Sequence, residues 1–169
     1  MKAEAVAGAK KFRVLFVCEG NVCRSPMAEA VLREKIPQRL QGDIEVLSAG
    51  LNTFSGLSAS VEAELATRMK GYDLSRHRSQ QASEALIETS DLILCMEPGQ
   101  TRHLREKYPH LVPRIHTFRA FCSGEEDAVP DPFQQDVDVY IRTLNRIVAE
   151  INKGKTRIWD RVRAWKKRK

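Results

Sequence analysis

Apolar residues follow two rhythms along this chain. Short β-branched and aliphatic runs recur at residues 12–17 (FRVLFV), 43–50 (DIEVLSAG), 91–96 (DLILCM) and 113–118 (PRIHTF). Each is too short for a helix, so each predicts a buried strand. Between them lie longer amphipathic stretches. Ser25-Pro26 reads as a helix start, a capping hydroxyl followed by proline at the first helical position, and that helix runs to the mid-thirties before Pro37. Residues 58–71 predict a second helix stopped by Gly71, residues 83–90 a short third, and residues 98–108 a fourth opened by Pro98. Within 135–151, Val137, Ile141, Leu144, Val148 and Ile151 recur at spacings of four and three, one apolar helical stripe. Strands separated by helices predict an α/β fold, a three-layer sandwich with a central four-stranded parallel sheet flanked by helices. Such sheets bind ligands beyond the carboxyl ends of their strands. Cys18 falls at one of those ends.

The length of 169 residues suits one domain, here residues 12–154, with a flexible lead-in over 1–11. No apolar run approaches the roughly 20 residues of a membrane span, and the first residues lack a secretory pattern, so a cytoplasmic protein is expected. The four cysteines (18, 23, 95 and 122) contain no CxxC pair, and the four histidines are scattered. Neither a metal nor another cofactor is expected. The formal charge of +6 is uneven: residues 155–169 hold eight basic residues and one acidic residue, leaving the rest of the chain at −1. The basic character therefore belongs to a C-terminal extension, expected to be helical, and not to the domain.

The segment Cys18-Glu19-Gly20-Asn21-Val22-Cys23-Arg24-Ser25 joins the first strand to the first helix. A tight loop feeding a helix offers converging backbone N–H groups and the positive end of the helix dipole, an anion site. Gly20 lets the backbone curl, and Asn21 tolerates the left-handed region. Arg24 adds a planar fork matched to two phosphate oxygens. Cys18 sits in that field, which favours its thiolate, and Ser25 is placed to donate to it. The loop holds an anion and aims a nucleophile at it, the requirement of covalent phosphoryl transfer. It is not the GxxxxGK[ST] nucleotide loop, which needs a lysine here absent.

VLFVCEGNVCRSPMAEA (14–30) closely resembles the signature of the low-molecular-weight protein tyrosine phosphatases. The resemblance continues through SAG (48–50), GYDLSRHRS (71–79), DLILCM (91–96) and PDPF (130–133), in the family's order, and covers residues 12 to about 151. It implies phosphorylated proteins as substrates. It implies Cys18 as nucleophile and Arg24 with the amides of residues 19–25 as the phosphate cradle. Asp131, stiffened between two prolines, becomes the general acid and then the base that activates water. Asn21, Ser25, Ser48 and His77 become a supporting hydrogen-bond network, and Phe54 and Phe133 walls of the substrate slot. Cys23 stands where the family can close a reversible disulfide with the nucleophile; a packing cysteine is the other reading.

Three residues or segments depart from the pattern: Glu19 after the nucleophile, Gln134 beside the acid, and the basic extension. The family also contains a bacterial phosphoarginine branch and thiol-dependent arsenate reductases. The arginine branch carries threonine at the position of Val22, and valine resembles the tyrosine-specific majority, so phosphotyrosine is the expected substrate. Phosphoarginine is the alternative, because Glu19 at the rim suits a cationic group. The spacing of Cys95 and Cys122 does not resemble the reductase relay, and a non-catalytic phosphate-binding module would not keep Cys18, Arg24 and Asp131 together. In the extension, Ile158, Val162 and Trp165 share a helical face. That face either docks on the domain, the preferred reading, or carries the basic residues onto an anionic membrane or nucleic acid.

Overall fold

The computed structural model describes residues 8–169, so the first seven positions of the expected lead-in lie outside the described residues. Residues 8–11 are exposed coil. Four strands follow: β1 (Phe12–Cys18), β2 (Ile44–Gly50), β3 (Leu92–Cys95) and β4 (Ile115–Thr117). They form one parallel sheet in the order β2-β1-β3-β4, with Cys18 level with Gly50 at the carboxyl end. Six α-helices connect and cover it: α1 (Arg24–Glu34), α2 (Val61–Met69), α3 (Glu84–Glu88), α4 (Pro98–Lys107), α5 (Phe118–Ser123) and α6 (Val137–Lys166). Two 3₁₀ turns at Gln38–Leu40 and Pro109–Arg114 complete the fold.

The two-residue period of β1 explains the three layers. Phe12, Val14, Phe16 and Cys18 face one core, built with α1, α2, α5 and α6. Leu15 and Val17 face the other, built with Ile87 of α3, Leu104 of α4 and Leu111. Both faces are sealed, as a parallel sheet requires.

The structure corrects several expectations. Ser25 is the second residue of α1 and does not cap it; Cys23 occupies the N-cap position without a side-chain bond. The Ser25 hydroxyl is committed elsewhere, to the loop. Pro26 is accordingly the third helical residue, still in the first turn where a missing N–H costs nothing. The left-handed residue of the loop is Asn21 (φ 55°), and Gly20 is not among the positive-φ positions. Residues 113–118 divide between a strand of three residues and the start of α5. The last helix does not end near 151. It runs for 30 residues, and its buried line is Tyr140, Leu144, Ile147, Ile151, Ile158, Val162 and Trp165, with Val137, Ile141 and Val148 on the flanks. The extension is thus the second half of α6, docked on the sheet end through Phe12 and Trp165, whose rings meet edge to face at 6.0 Å. No helix among the described residues is long and apolar enough to cross a membrane.

Candidate active site

Cys18 ends β1, and the chain then wraps back into α1. Four bonds define the loop around the thiol. The Asn21 N–H donates to Cys18 Sγ at 3.2 Å. The Asn21 side-chain amide spends its two hydrogens on Ser25 Oγ and Ser48 Oγ, both at 2.9 Å. Ser25 Oγ, which accepts from Asn21, is also hydrogen-bonded to Cys18 Sγ at 2.9 Å. The Asn21 N–H and the Ser25 hydroxyl thus meet at the sulfur.

Asn21 is itself fixed. Its Oδ1 accepts from the Gln80 N–H at 2.9 Å, which sets the orientation of the amide. His77 Nε2 lies 2.7 Å from the Asn21 carbonyl, so that nitrogen carries the proton and donates. Ser48 donates onward to Glu29 at 2.5 Å. A left-handed asparagine held from four sides sets the loop's shape. Gly50 matters to the same loop: a Cβ there would stand 2.7 Å from the Glu19 carbonyl, so β2 approaches this closely only as glycine.

Arg24, the first residue of α1, is buried and held from two distant segments. Its Nη1 donates to Glu97 (2.5 Å) and to the Val129 carbonyl (3.0 Å), and its Nη2 to Asp131 (3.2 Å). A guanidinium has five N–H donors. Three are taken, which leaves Nε and one Nη2 hydrogen, neighbouring donors of the kind that pair with two oxygens of one anion. The same arginine thereby positions the Asp131 carboxylate, whose other oxygen accepts from the Phe133 N–H at 3.1 Å.

Cys18, Asn21, Arg24 and Asp131 line one pocket of about 320 Å³ together with Val22, Cys23, Thr53 and Leu57. Phe54, 82% exposed, and Phe133 stand at its mouth, and Glu19 is exposed at its rim. Cys23 is buried against Tyr140 Oη (3.3 Å) and Ser60 Oγ (3.6 Å). Burial raises its thiol from the ordinary value, with the Tyr140 and Ser60 bonds working against that rise. Cys95 and Cys122 lie buried in β3 and α5, each pushed up to about 12 chiefly by burial, and all four cysteines are free thiols.

The structure joins Cys18, Asn21, Ser25, Ser48 and His77 in one hydrogen-bond network, places the Arg24–Asp131 pair beside it on the same pocket, and sets Phe54 and Phe133 around the opening. Sequence reasoning overlooked Glu97, Glu29, Gln80, Ser60 and Tyr140. A signal existed for Glu97: it lies just past the carboxyl end of β3, the edge where parallel sheets bind ligands. The other four are ordinary polar residues made relevant only by tertiary contact.

The fold and site define an α/β protein with a cysteine thiol in the loop that joins the first strand of a parallel sheet to its first helix. The family model described as low molecular weight phosphotyrosine protein phosphatase matches residues 13–164. A protein-arginine-phosphatase of Geobacillus stearothermophilus is 38% identical over 129 residues, 76% of this chain and 84% of that relative. A low molecular weight protein-tyrosine-phosphatase of Acinetobacter johnsonii is 36% identical over 124 residues, 73% and 81% of the two chains. Among solved structures, the YwlE arginine phosphatase from G. stearothermophilus superposes with a TM-score of 0.80 at 33% identity, covering 88% of this chain and 94% of its own. The low molecular weight protein tyrosine phosphatase from T. tengcongensis gives 0.78 at 38% identity, covering 85% and 97%. The chain belongs to the low molecular weight protein-tyrosine-phosphatase family and is a phosphatase.

Proposed function

We propose that this protein hydrolyses phosphotyrosine in protein substrates, with Cys18 as nucleophile, Arg24 and the amides of residues 19–25 as the phosphate cradle, and Asp131 as general acid and base. The observation that carries the reading is the convergence of Cys18, Arg24 and Asp131, from one loop and a segment more than a hundred residues away, on a single pocket. The Cys18 thiolate attacks phosphorus, the bond from phosphorus to the tyrosyl oxygen breaks, and protonated Asp131 gives its proton to the leaving phenolate. Asp131, now a carboxylate, takes a proton from water. That water attacks the phosphocysteine, the S–P bond breaks, and inorganic phosphate leaves with the thiolate restored. Asn21, Ser25, Ser48 and His77 hold the loop in the shape that both steps need.

Val22, Leu57, Phe54 and Phe133 give the pocket an apolar wall suited to an aromatic ring. Phosphoarginine is the second reading, favoured by exposed Glu19 at the rim and by relatives named as arginine phosphatases. Cys23 acts as a redox guard of Cys18 in this scheme, or else only packs against Tyr140. Four free thiols fit a cytoplasmic protein. The test is kcat/KM on matched phosphotyrosine and phosphoarginine peptides, with Cys18→Ser as control. Preference for phosphotyrosine is expected. A large preference for phosphoarginine reverses the substrate assignment, and undiminished turnover by Cys18→Ser removes the mechanism.

A further inference from the structure

Away from the Cys18 pocket, three arginines from two helices converge on the edge strand. Arg105 of α4 and Arg157 and Arg161 of α6 line a pocket of about 240 Å³ with His116 and Thr117 of β4. No lining residue is shared with the catalytic pocket.

Each guanidinium is fixed by a main-chain carbonyl. Arg105 donates through Nε (2.9 Å) and Nη2 (2.6 Å) to the Ile115 carbonyl. Arg157 Nη1 donates to the Phe121 carbonyl at 2.6 Å, and Arg161 Nη1 to that of Pro113 at 3.2 Å. Arg157 and Arg161 also stack over the Phe121 ring, 5.7 and 5.4 Å from its centre. Carbonyls hold orientation without cancelling charge. No carboxylate among the described residues pairs with any of the three, whereas Arg13, Arg24, Arg33, Arg119 and Arg163 all have one. Glu126, the acidic residue at the pocket, is exposed and pairs with none of them.

The charge is also crowded. Burial and neighbouring Arg157 both hold Arg161 below the usual arginine value. Fixed, partly buried like charges repel, and a bound anion relieves them. A second cleft, of about 590 Å³, adjoins across Arg161 and adds Lys10, Arg114 and Arg168 against one acidic residue, Asp91, whose carboxylate accepts from the Arg13 N–H. One guanidinium thus faces two basic concavities, a layout for an anion with several linked phosphate groups.

We propose that this edge carries a second binding site for an oligophosphate anion, seated on Arg105, Arg157 and Arg161 and extending past Arg161 towards Arg114 and Arg168. An anionic membrane is the poorer occupant. The exposed large apolar residues of the described chain are Phe54, Leu57, Val61, Met69, Phe133 and Val112, of which only Val112 belongs to the 3₁₀ turn beside these clefts. Single-stranded nucleic acid needs open aromatic faces, and Trp165 is buried with Lys169 over its ring at 4.0 Å.

Inorganic tripolyphosphate titrated calorimetrically into the full chain tests the assignment. Two sites are expected. One has the affinity seen as competitive inhibition of aryl-phosphate hydrolysis, which reports the Cys18 loop. The other weakens about 10-fold or more in the double variant Arg157→Gln/Arg161→Gln, while aryl-phosphate turnover and its inhibition stay unchanged. Turnover and circular dichroism both report the fold of the variant. A single wild-type site, or a second site indifferent to the double variant, overturns the proposal. So does arginine-dependent binding to phosphatidylglycerol vesicles or to an oligothymidylate without a second tripolyphosphate site.

Discussion

Single residues carry the chemistry here, and two of them make opposite demands on their surroundings. Asp131 is half-exposed, anchored to Arg24 and to its own loop. A general acid matters in proportion to how badly the leaving group needs a proton. Asp131→Ala should therefore cost about 10²–10⁴-fold in kcat on phosphotyrosine, and far less on an aryl phosphate with a strongly acidic phenol. Equal losses on both substrates would mean that Asp131 only braces Arg24. His116 reports a different balance. Burial holds it below 6.5, the Pro113 carbonyl pulls the other way, and Arg161, Arg105 and Arg157 push it down further. The groups around it are those arginines from α4 and α6, the Phe121 ring of α5, the Pro113 carbonyl and Glu126. With the folded value below the unfolded one, the unfolded chain takes up the proton first as pH falls. Stability is thus lost as pH drops through about 6.5, and His116→Gln should flatten that part of the profile. Urea midpoints for both proteins at pH 7.5 and 5.5 measure the difference. Of these two residues, Asp131 was legible because Pro-Asp-Pro belongs to a recognisable pattern. His116 was not, because its character comes from arginines far along the chain.

Elements were legible where their signal is local. The four strands and the start of α4 follow from apolar runs and Pro98, while α2 and α3, expected from 58 and 83, begin at Val61 and Glu84 behind the capping hydroxyls of Ser60 and Ser83. The exceptions have tertiary causes. Ser25 has the side chain of a cap, but the thiol and Asn21 claim it. In the sequence α6 reads as stopping near Ile151 because Lys153, Gly154 and Lys155 interrupt the apolar stripe. Gly154 instead marks where α6 touches α5. A Cβ there would lie 2.7 Å from both Cα and Cβ of Cys122, contacts that cannot swing aside. Gly154→Ala gains about 1 kcal/mol of helix propensity and incurs about 1–3 kcal/mol of overpacking against a backbone. A lower denaturation midpoint is expected, with α6 displaced from α5. A midpoint above wild type would show that the two helices have room to separate.

At the scale of the molecule, the two ends of the sheet do different work. The carboxyl ends hold the Cys18 loop, and the amino ends are closed by the last turns of α6. There Lys166 pairs with Asp43 at 2.7 Å, and Lys169 Nζ donates to the Lys10 carbonyl at 2.7 Å. The charge asymmetry was plain in the sequence. So was the apolar face of Ile158, Val162 and Trp165, expected to dock on the domain; hidden was its continuity with the α6 stripe across Lys153, Gly154 and Lys155. Ile158, Trp159, Val162 and Trp165 are buried along that line. Burying such side chains contributes about 1.5–3 kcal/mol each, together of the order of a domain's whole stability, about 5–15 kcal/mol. Residues 155–169 are therefore structural, and deleting them should abolish the cooperative thermal transition and with it turnover. Converting Lys166, Lys167, Arg168 and Lys169 together to glutamine removes four charges and leaves the apolar line in place. That variant should melt within a few degrees of wild type and keep its activity, because exposed ion pairs contribute about 0–1 kcal/mol each. A truncated chain that still melts cooperatively near the wild-type temperature would instead make the extension an appendage, and its charge the reason for its presence.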